Sequence, residues 1–330
     1  MINIGIIGTN FITDSLIAGA KEVKDAKISA VYSRTEERAK EYAKKFGIEH
    51  TFINLEEMAK SDLIDAVYIT SPNSLHASQA ILFLKNKKHV LGEKAFASNT
   101  KEVDEMIKAA KENNVVLMEA MRTTVLPNFK AIKDNLYKIG KVRKYFASFC
   151  QYSSRYDKYK AGEVLNAFKN ELSNGAIMDI GIYCIAPMVN IFGKPNTVKA
   201  NGVMLKTGVD GEGSAIFGYD DMEAAVIYSK ISNSYLPSEI QGEEGSIIIN
   251  KINTFENVKI IYRDGREEDL TLEHKEENMC YEVEEFVNLI QLGEKESKIN
   301  SLKVSRDVME VIEEARKQIG VVYPADKING

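Results

Sequence analysis

Apolar positions in the first 120 residues form short β-branched runs separated by stretches of helical periodicity. Runs at 2–7, 28–32, 66–70, 88–91 and 115–118 read as strands. The clearest helix follows Asn99, where Val103, Met106, Ile107 and Ala110 recur at i, i+3, i+4 and i+7 behind an Asn99/Glu102 capping box. Such alternation with short connections predicts an α/β fold with right-handed crossovers and an open, doubly wound parallel sheet. From about Thr123 the pattern changes. After a helix at 129–137 come strand-like runs at 142–150, 223–231, 247–250 and 258–263, the last joined to 268–272 by the hairpin signal Asp264-Gly265. This half is expected to be α+β around a large, mainly antiparallel, open-faced sheet. Two acidic amphipathic helices, 282–292 and 304–319, close the chain. The expected division is a dinucleotide-binding domain at 1–122 and a substrate and oligomerisation domain at 123–330, with room for the C-terminal helix to pack back on the first.

Composition narrows the function. The 330 residues suit two domains, and 44% apolar with 28% charged residues is ordinary for a globular chain. A net charge of -5 supplies no basic field for a phosphate backbone, so no nucleic-acid partner is expected. The longest apolar stretches look interrupted before the roughly 18 residues a membrane helix needs, and no signal-peptide pattern opens the chain, so no membrane role and a cytoplasmic location are expected. The three cysteines (150, 184 and 280) form no CxxC pair and read as small, partly buried thiols. The four histidines (50, 76, 89 and 274) lack metal-ligand spacing, so no bound metal is expected and acid/base chemistry falls to other groups.

Directly after the first predicted strand stands Gly8-Thr9-Asn10-Phe11-Ile12-Thr13, where a dinucleotide-binding turn carries G-x-G-x-x-G/A. Gly8 supplies the tight turn. Asn10 replaces the second glycine and, as the non-glycine residue most tolerant of positive φ, is expected to preserve the turn geometry. The helix that follows is expected to offer its N–H groups to phosphate. The second strand ends at Ser33-Arg34 without the acid that would hold a ribose 2'-hydroxyl, and Arg38 lies one helical turn on. A hydroxyl and two guanidinium groups suit a 2'-phosphate, which favours NADP over NAD.

Three further segments carry a resemblance: Thr70-Ser71-Pro72-Asn73-Ser74-Leu75-His76, Gly92-Glu93-Lys94-Ala95, and Asn174-Gly175-Ala176-Ile177-Met178-Asp179-Ile180-Gly181-Ile182-Tyr183. With Glu119-Ala120 and Arg122, their order along nearly the whole chain resembles the glucose-fructose oxidoreductase / inositol dehydrogenase (Gfo/Idh/MocA) family. The resemblance implies a Rossmann domain followed by an open-faced sheet domain, with NAD(P)-dependent hydride transfer to or from a sugar, polyol or diol. It also implies Ser71, Pro72, Asn73, His76, Glu93, Lys94 and Arg122 at the cofactor, and a homodimer or homotetramer built through the C-terminal sheet. This chain departs from the family pattern at Ala95, where proline is usual, at Asn174, where the first of two glycines is usual, and at Tyr183. Many members carry histidine there, and the tyrosine resembles the branch of dihydrodiol dehydrogenase and D-xylose dehydrogenase.

The chemistry agrees with those positions. Hydride transfer to a carbonyl leaves an alkoxide needing a proton, and the reverse reaction needs that proton removed. A free tyrosine titrates near 10. A lysine ammonium about 4 Å away, at an effective dielectric near 20, contributes up to about 4 kcal/mol toward the phenolate. The catalytic expectation is therefore Tyr183 as acid/base with Lys94 as its tuning cation, and the resemblance implies Asp179 as the acceptor that orients substrate hydroxyls. If 178–192 is helical, Asp179 and Tyr183 share a face. Rival readings are a cofactor-bound sensor without turnover, and a lyase or glycosidase using transient oxidation.

Overall fold

The structure, a computed structural model, describes residues 1–327. The chain forms two compact units, one of Met1–Arg122 with Lys275–Ser305, the other of Thr123–His274 with the chain from Arg306 onward. The first opens with β1 (Ile2–Ile7), α1 (Phe11–Lys21), β2 (Ala26–Tyr32), α2 (Glu36–Phe46), β3 (His50–Phe52) and α3 (Leu55–Lys60). It continues through β4 (Ala66–Ile69), α4 (Asn73–Lys85), β5 (His89–Glu93), α5 (Thr100–Asn113) and β6 (Leu117–Ala120). All five pairings are parallel and the strand order is β3-β2-β1-β4-β5-β6. The order reverses between β1 and β4, and a sheet of this kind binds its ligand beyond the carboxyl ends of the strands at that point. The strands are continuous apolar runs because helices cover both faces. The Asn99 cap is present, Oδ1 accepting from Glu102 N at 3.0 Å, while Glu102 reaches back to Ser98 N at 2.8 Å, one residue before the usual box.

The chain then runs through α6 (Arg122–Val125), α7 (Pro127–Asn135), β7 (Val142–Cys150), α8 (Tyr156–Lys160) and α9 (Ile182–Phe192). Six strands follow as β8 (Thr197–Met204), β9 (Asp210–Gly218), β10 (Glu223–Ser229), β11 (Ser238–Gly242), β12 (Gly245–Lys251) and β13 (Glu256–Tyr262), then a short β14 (Glu267–Asp269). They make an eight-stranded sheet with β7 in order β14-β13-β12-β11-β7-β10-β9-β8. The sheet is antiparallel except where β10 runs parallel to β7, in keeping with the mainly antiparallel expectation. Strands β8, β9 and β11 were not among the predicted runs. In β8 the exposed residues alternate with half-buried ones, and the strand packs too little to present an apolar stripe. One sheet face carries the core residues Tyr145, Ala147, Val226, Tyr228, Ile240, Ile247 and Ile260, and the other leaves Phe146, Ile216 and Ile227 wholly or partly uncovered.

Three helices end the chain, α10 (Cys280–Leu292), α11 (Leu302–Ile319) and α12 (Pro324–Lys327). It is α10 that returns to the first unit, where Val283, Phe286 and Val287 join the core with Leu16 and Ile17. Gly19 permits the approach, since a Cβ there would lie 2.7 Å from Cys280 N. The sequence reading of apolar stretches also needs correction. The helical segment Asn170–Phe192 is long and apolar enough to cross a bilayer by length and composition, with mean hydropathy 1.6, but 72% of that window is buried inside the protein, as in a core helix.

Candidate active site

Gly8 ends β1 with φ +115°, a conformation that L side chains rarely adopt, and a Cβ there would lie 2.8 Å from Thr70 Cγ2 and 3.0 Å from Thr70 O. Asn10 does not take positive φ as expected. It is extended, with φ -115°, and caps α1 by accepting from Ile12 N at 2.9 Å and Thr13 N at 3.3 Å. Its Nδ2 donates to Thr70 O at 3.0 Å and Thr70 Oγ1 at 3.2 Å, tying the end of β4 to the turn after β1. A side chain thus bridges the gap that a glycine would leave open. The N–H groups of Ile12 and Thr13 already have an acceptor in this cap, so an anion is left the amides before them. Thr13 is fully buried, and Phe11 projects into solvent.

The two arginines separate. Arg38 donates to Thr9 Oγ1 at 3.2 Å and Thr9 O at 3.1 Å and pairs with Glu41 at 2.9 Å, so it buttresses the glycine turn rather than standing open for a 2'-phosphate. Arg34 is exposed beside Ser33 and, among the described residues, makes no side-chain hydrogen bond or ion pair. Ser33 is fixed by its N–H on Phe52 O at 3.1 Å.

Past β4, Ser71 donates to Gln79 Oε1 at 2.7 Å, Pro72 stands at the N-cap position of α4 without a side-chain capping bond, and Asn73 opens that helix, buried. His76 is buried with Nε2 2.7 Å from Ser71 O and Nδ1 2.9 Å from Ala95 O. Burial holds its pKa below the ordinary value, against the pull of those carbonyls, and the neutral ring has one N–H for the two acceptors. Both nitrogens face backbone, so His76 clasps the loops after β4 and β5 instead of presenting a nitrogen to the nicotinamide ribose. Lys94 is half-buried just past β5, and its peptide bond to Ala95 is cis. Glu93 is buried, accepts from Tyr68 Oη at 2.5 Å, and is pushed up by burial, which the neighbouring Lys94 and Arg122 charges oppose. Burial also pushes Glu119 up to about 7. Arg122 makes no ion pair with Glu119. Its charge acts on Glu93 and Glu282, and its buried Nε has no hydrogen-bond partner among the described residues.

In the second unit, Asp179 lies in a π-helical turn, Ile177–Gly181, which runs straight into α9 carrying Tyr183. The expected helix over 178–192 is thus present with one wide turn, a feature frequent at functional sites. Gly175 has φ +143°, and a Cβ there would lie 2.2 Å from Asp210 Oδ1, so glycine makes room for a buried carboxylate that accepts from Ile177 N at 2.7 Å. Asn174 fits where glycine is usual because its side chain turns outward to Asn166 O at 3.0 Å. Tyr183 is half-buried edge-on to Phe149, ring centroids 5.6 Å apart. Asp179 is hydrogen-bonded and ion-paired to Lys230, a buried residue that sequence reasoning missed. Asp210 was missed as well. Neither has a spacing signal, since Lys230 is 51 residues from its partner and Asp210 is 33 from Ile177.

A parallel sheet in this order, a glycine turn at its reversal point and a second unit built on an open-faced sheet together define a Rossmann-type dinucleotide-binding protein. Gly8's cradle and the orphaned Arg122 Nε fit such a cofactor. The chain belongs to the Gfo/Idh/MocA oxidoreductase family, residues 2–121 matching its NAD-binding Rossmann fold and 135–248 its C-terminal domain. It is 57% identical over 327 residues, 99% of this chain and 100% of the relative, to scyllo-inositol 2-dehydrogenase (NADP(+)) IolU of Bacillus subtilis. It is 32% identical to trans-1,2-dihydrobenzene-1,2-diol dehydrogenase of Xenopus laevis, over 97% of this chain and 98% of that one. Levoglucosan dehydrogenase, solved with NADH and levoglucosan, shares the fold with TM-score 0.84 at 21% identity, over 96% of each chain. The protein is an oxidoreductase dependent on NADP or NAD.

Proposed function

We propose that this enzyme is an NADP-preferring dehydrogenase of a neutral polyol, sugar or diol in the cytoplasm, with an inositol as the first substrate class to test. The observation that carries the reading is the 57% identity, end to end, with a relative named for NADP-linked oxidation of scyllo-inositol. When bound, NADP(H) supplies the hydride acceptor or donor. Gly8 would leave room for the pyrophosphate at the turn, and Arg34 with Ser33 would hold the 2'-phosphate. Tyr183 Oη takes the proton of the substrate hydroxyl in oxidation and returns it in reduction, the Lys94 ammonium favours the phenolate, and Asp179 accepts a hydrogen bond from a substrate hydroxyl to orient it. The uncovered sheet face, with Phe146, Ile216 and Ile227, is the surface through which we expect two or four copies to associate.

The test is a screen of inositols, aldoses and dihydrodiols followed by NADPH absorbance. Tyr183→Phe and Lys94→Ala are each expected to retain NADPH binding by fluorescence titration and to lower turnover at least ~100-fold on the best substrate. Unchanged turnover in either variant removes that residue's role. NADH binding as tight as NADPH removes the argument from Ser33 and Arg34.

A further inference from the structure

Lys230 follows β10 on a rigid backbone. Its N–H donates to Gly211 O at 2.9 Å and its carbonyl accepts from Ser153 N at 2.9 Å, while Ser229 Oγ accepts from Ile231 N and Ser232 N at 3.1 and 2.9 Å to close the turn. The lysine side chain is 4% exposed, and an ammonium so buried requires compensation. Among the described residues it makes one hydrogen bond, to Asp179 Oδ2, and its Nζ stands 5.4 Å from the Phe168 ring centroid. An ammonium carries three donors, so the pair leaves at least one N–H without an acceptor even when the ring face is counted. Asp179, by contrast, is one-third exposed. A carboxylate has capacity for about four hydrogen bonds. A dry donor thus lies beside a carboxylate that opens to solvent. Phe168 packs against Tyr156 and Tyr159, centroids 5.8 and 5.4 Å away and planes tilted by 53° and 49°, so the cation is backed by an aromatic cluster.

We propose that Lys230 is a specificity-determining residue which, with Asp179, reads two adjacent hydroxyls of a neutral cyclic polyol. This rests on the reading above that Asp179 faces substrate. A hydroxyl both donates and accepts, so one of a vicinal pair donates to Asp179 while its neighbour accepts from Lys230. The ion pair is neutral as a unit and offers no net charge to a sugar acid. A substrate lacking the second hydroxyl leaves the buried ammonium unanswered, the kind of mismatch that polar sites reject most strongly.

The experiment is a cycle between residue and substrate, comparing kcat/KM of wild type and Lys230→Met on the best cyclitol and on its deoxy analogue lacking the hydroxyl beside the oxidised carbon. Wild type is expected to favour the parent about 100-fold or more. Lys230→Met is expected to lose that preference to within about 3-fold, the parent falling while the analogue changes little. Should Lys230→Met fail to fold by circular dichroism, Lys230→Gln is read the same way. An equal loss on both substrates overturns the assignment of Lys230 alone. Absence of wild-type turnover across the whole polyol panel overturns the functional reading and this proposal with it.

Discussion

Asn10 divides its side chain between two tasks that a glycine at this place cannot perform. Its oxygen caps α1 through Ile12 and Thr13, and its amide nitrogen holds Thr70 at the end of β4. A glycine brings the backbone closer to a pyrophosphate; this asparagine stabilises the turn instead and leaves the phosphate fewer helix amides. Asn10→Ala is therefore expected to destabilise the protein by about 1–2 kcal/mol in urea unfolding, the upper range for a lost cap, because the Thr70 tie is lost with it. Asn10→Gly, which leaves a small cap residue, is expected to lose less. If both variants unfold at the wild-type midpoint, the cap contributes nothing. The residue type alone suggested a positive φ. The conformation was decided by Thr70, 60 positions away, whose carbonyl and hydroxyl lie within reach of the amide.

At the scale of elements, the π turn Ile177–Gly181 and α9 place Asp179 and Tyr183, and the turn itself depends on Asp210. Burial pushes this carboxyl up to about 6 from its ordinary 3.8, although the Ile177 N–H hydrogen bond opposes the shift. Between those two pH values the native state holds a proton that the unfolded chain has already released. Stability therefore falls as pH rises through this window and is level above it, a loss of up to about 3 kcal/mol. Asn at the same place keeps an acceptor for Ile177 N and has no proton to lose. The difference in unfolding free energy, Asp210→Asn minus wild type, is expected to rise between pH 4 and 6.5 and then stay flat. A pH-independent difference would show that Asp210 is not held protonated at acid pH. Much at this scale was legible beforehand. Five of the six strands of the first sheet, the Asn99 cap and the helix through Tyr183 follow from periodicity and capping, whereas the three-residue edge strand β3 is too short to show a period and β8 escaped because both its faces are partly exposed.

For the whole molecule, the chain leaves the first unit after Arg122 and returns to it at Lys275–Ser305, so neither unit is a continuous segment. The apolar face of α10 finds its partners in residues more than 200 positions earlier, such as Leu16 and Ile17. The open sheet face has Ile216 at 51% exposure on β9, cross-strand from Ala225, which pairs in turn with Phe146. If copies associate there, light scattering should report a dimer or tetramer for the wild type, and Ile216→Lys, a change at a solvent-facing strand position, should shift it to monomer without loss of thermal stability. A wild-type monomer at micromolar concentration would remove that surface from the assembly.

What the sequence determined by itself is local. Gly8's turn, the βα alternation, the Asp264-Gly265 hairpin and the shared helix of Asp179 and Tyr183 are written in windows of a few residues, where steric limits on φ and side-chain periodicity act. Tertiary structure alone decided which carboxylate faces which cation. Lys230 reaches Asp179, Asp210 fills the space over Gly175, His76 joins the loops after β4 and β5, and β10 lies parallel to β7. Each of these unites groups tens of residues apart in sequence, and a buried charge or donor takes its partner from whatever the packed chain brings within about 3 Å. That distance is set by the fold as a whole and has no spacing along the chain from which to read it.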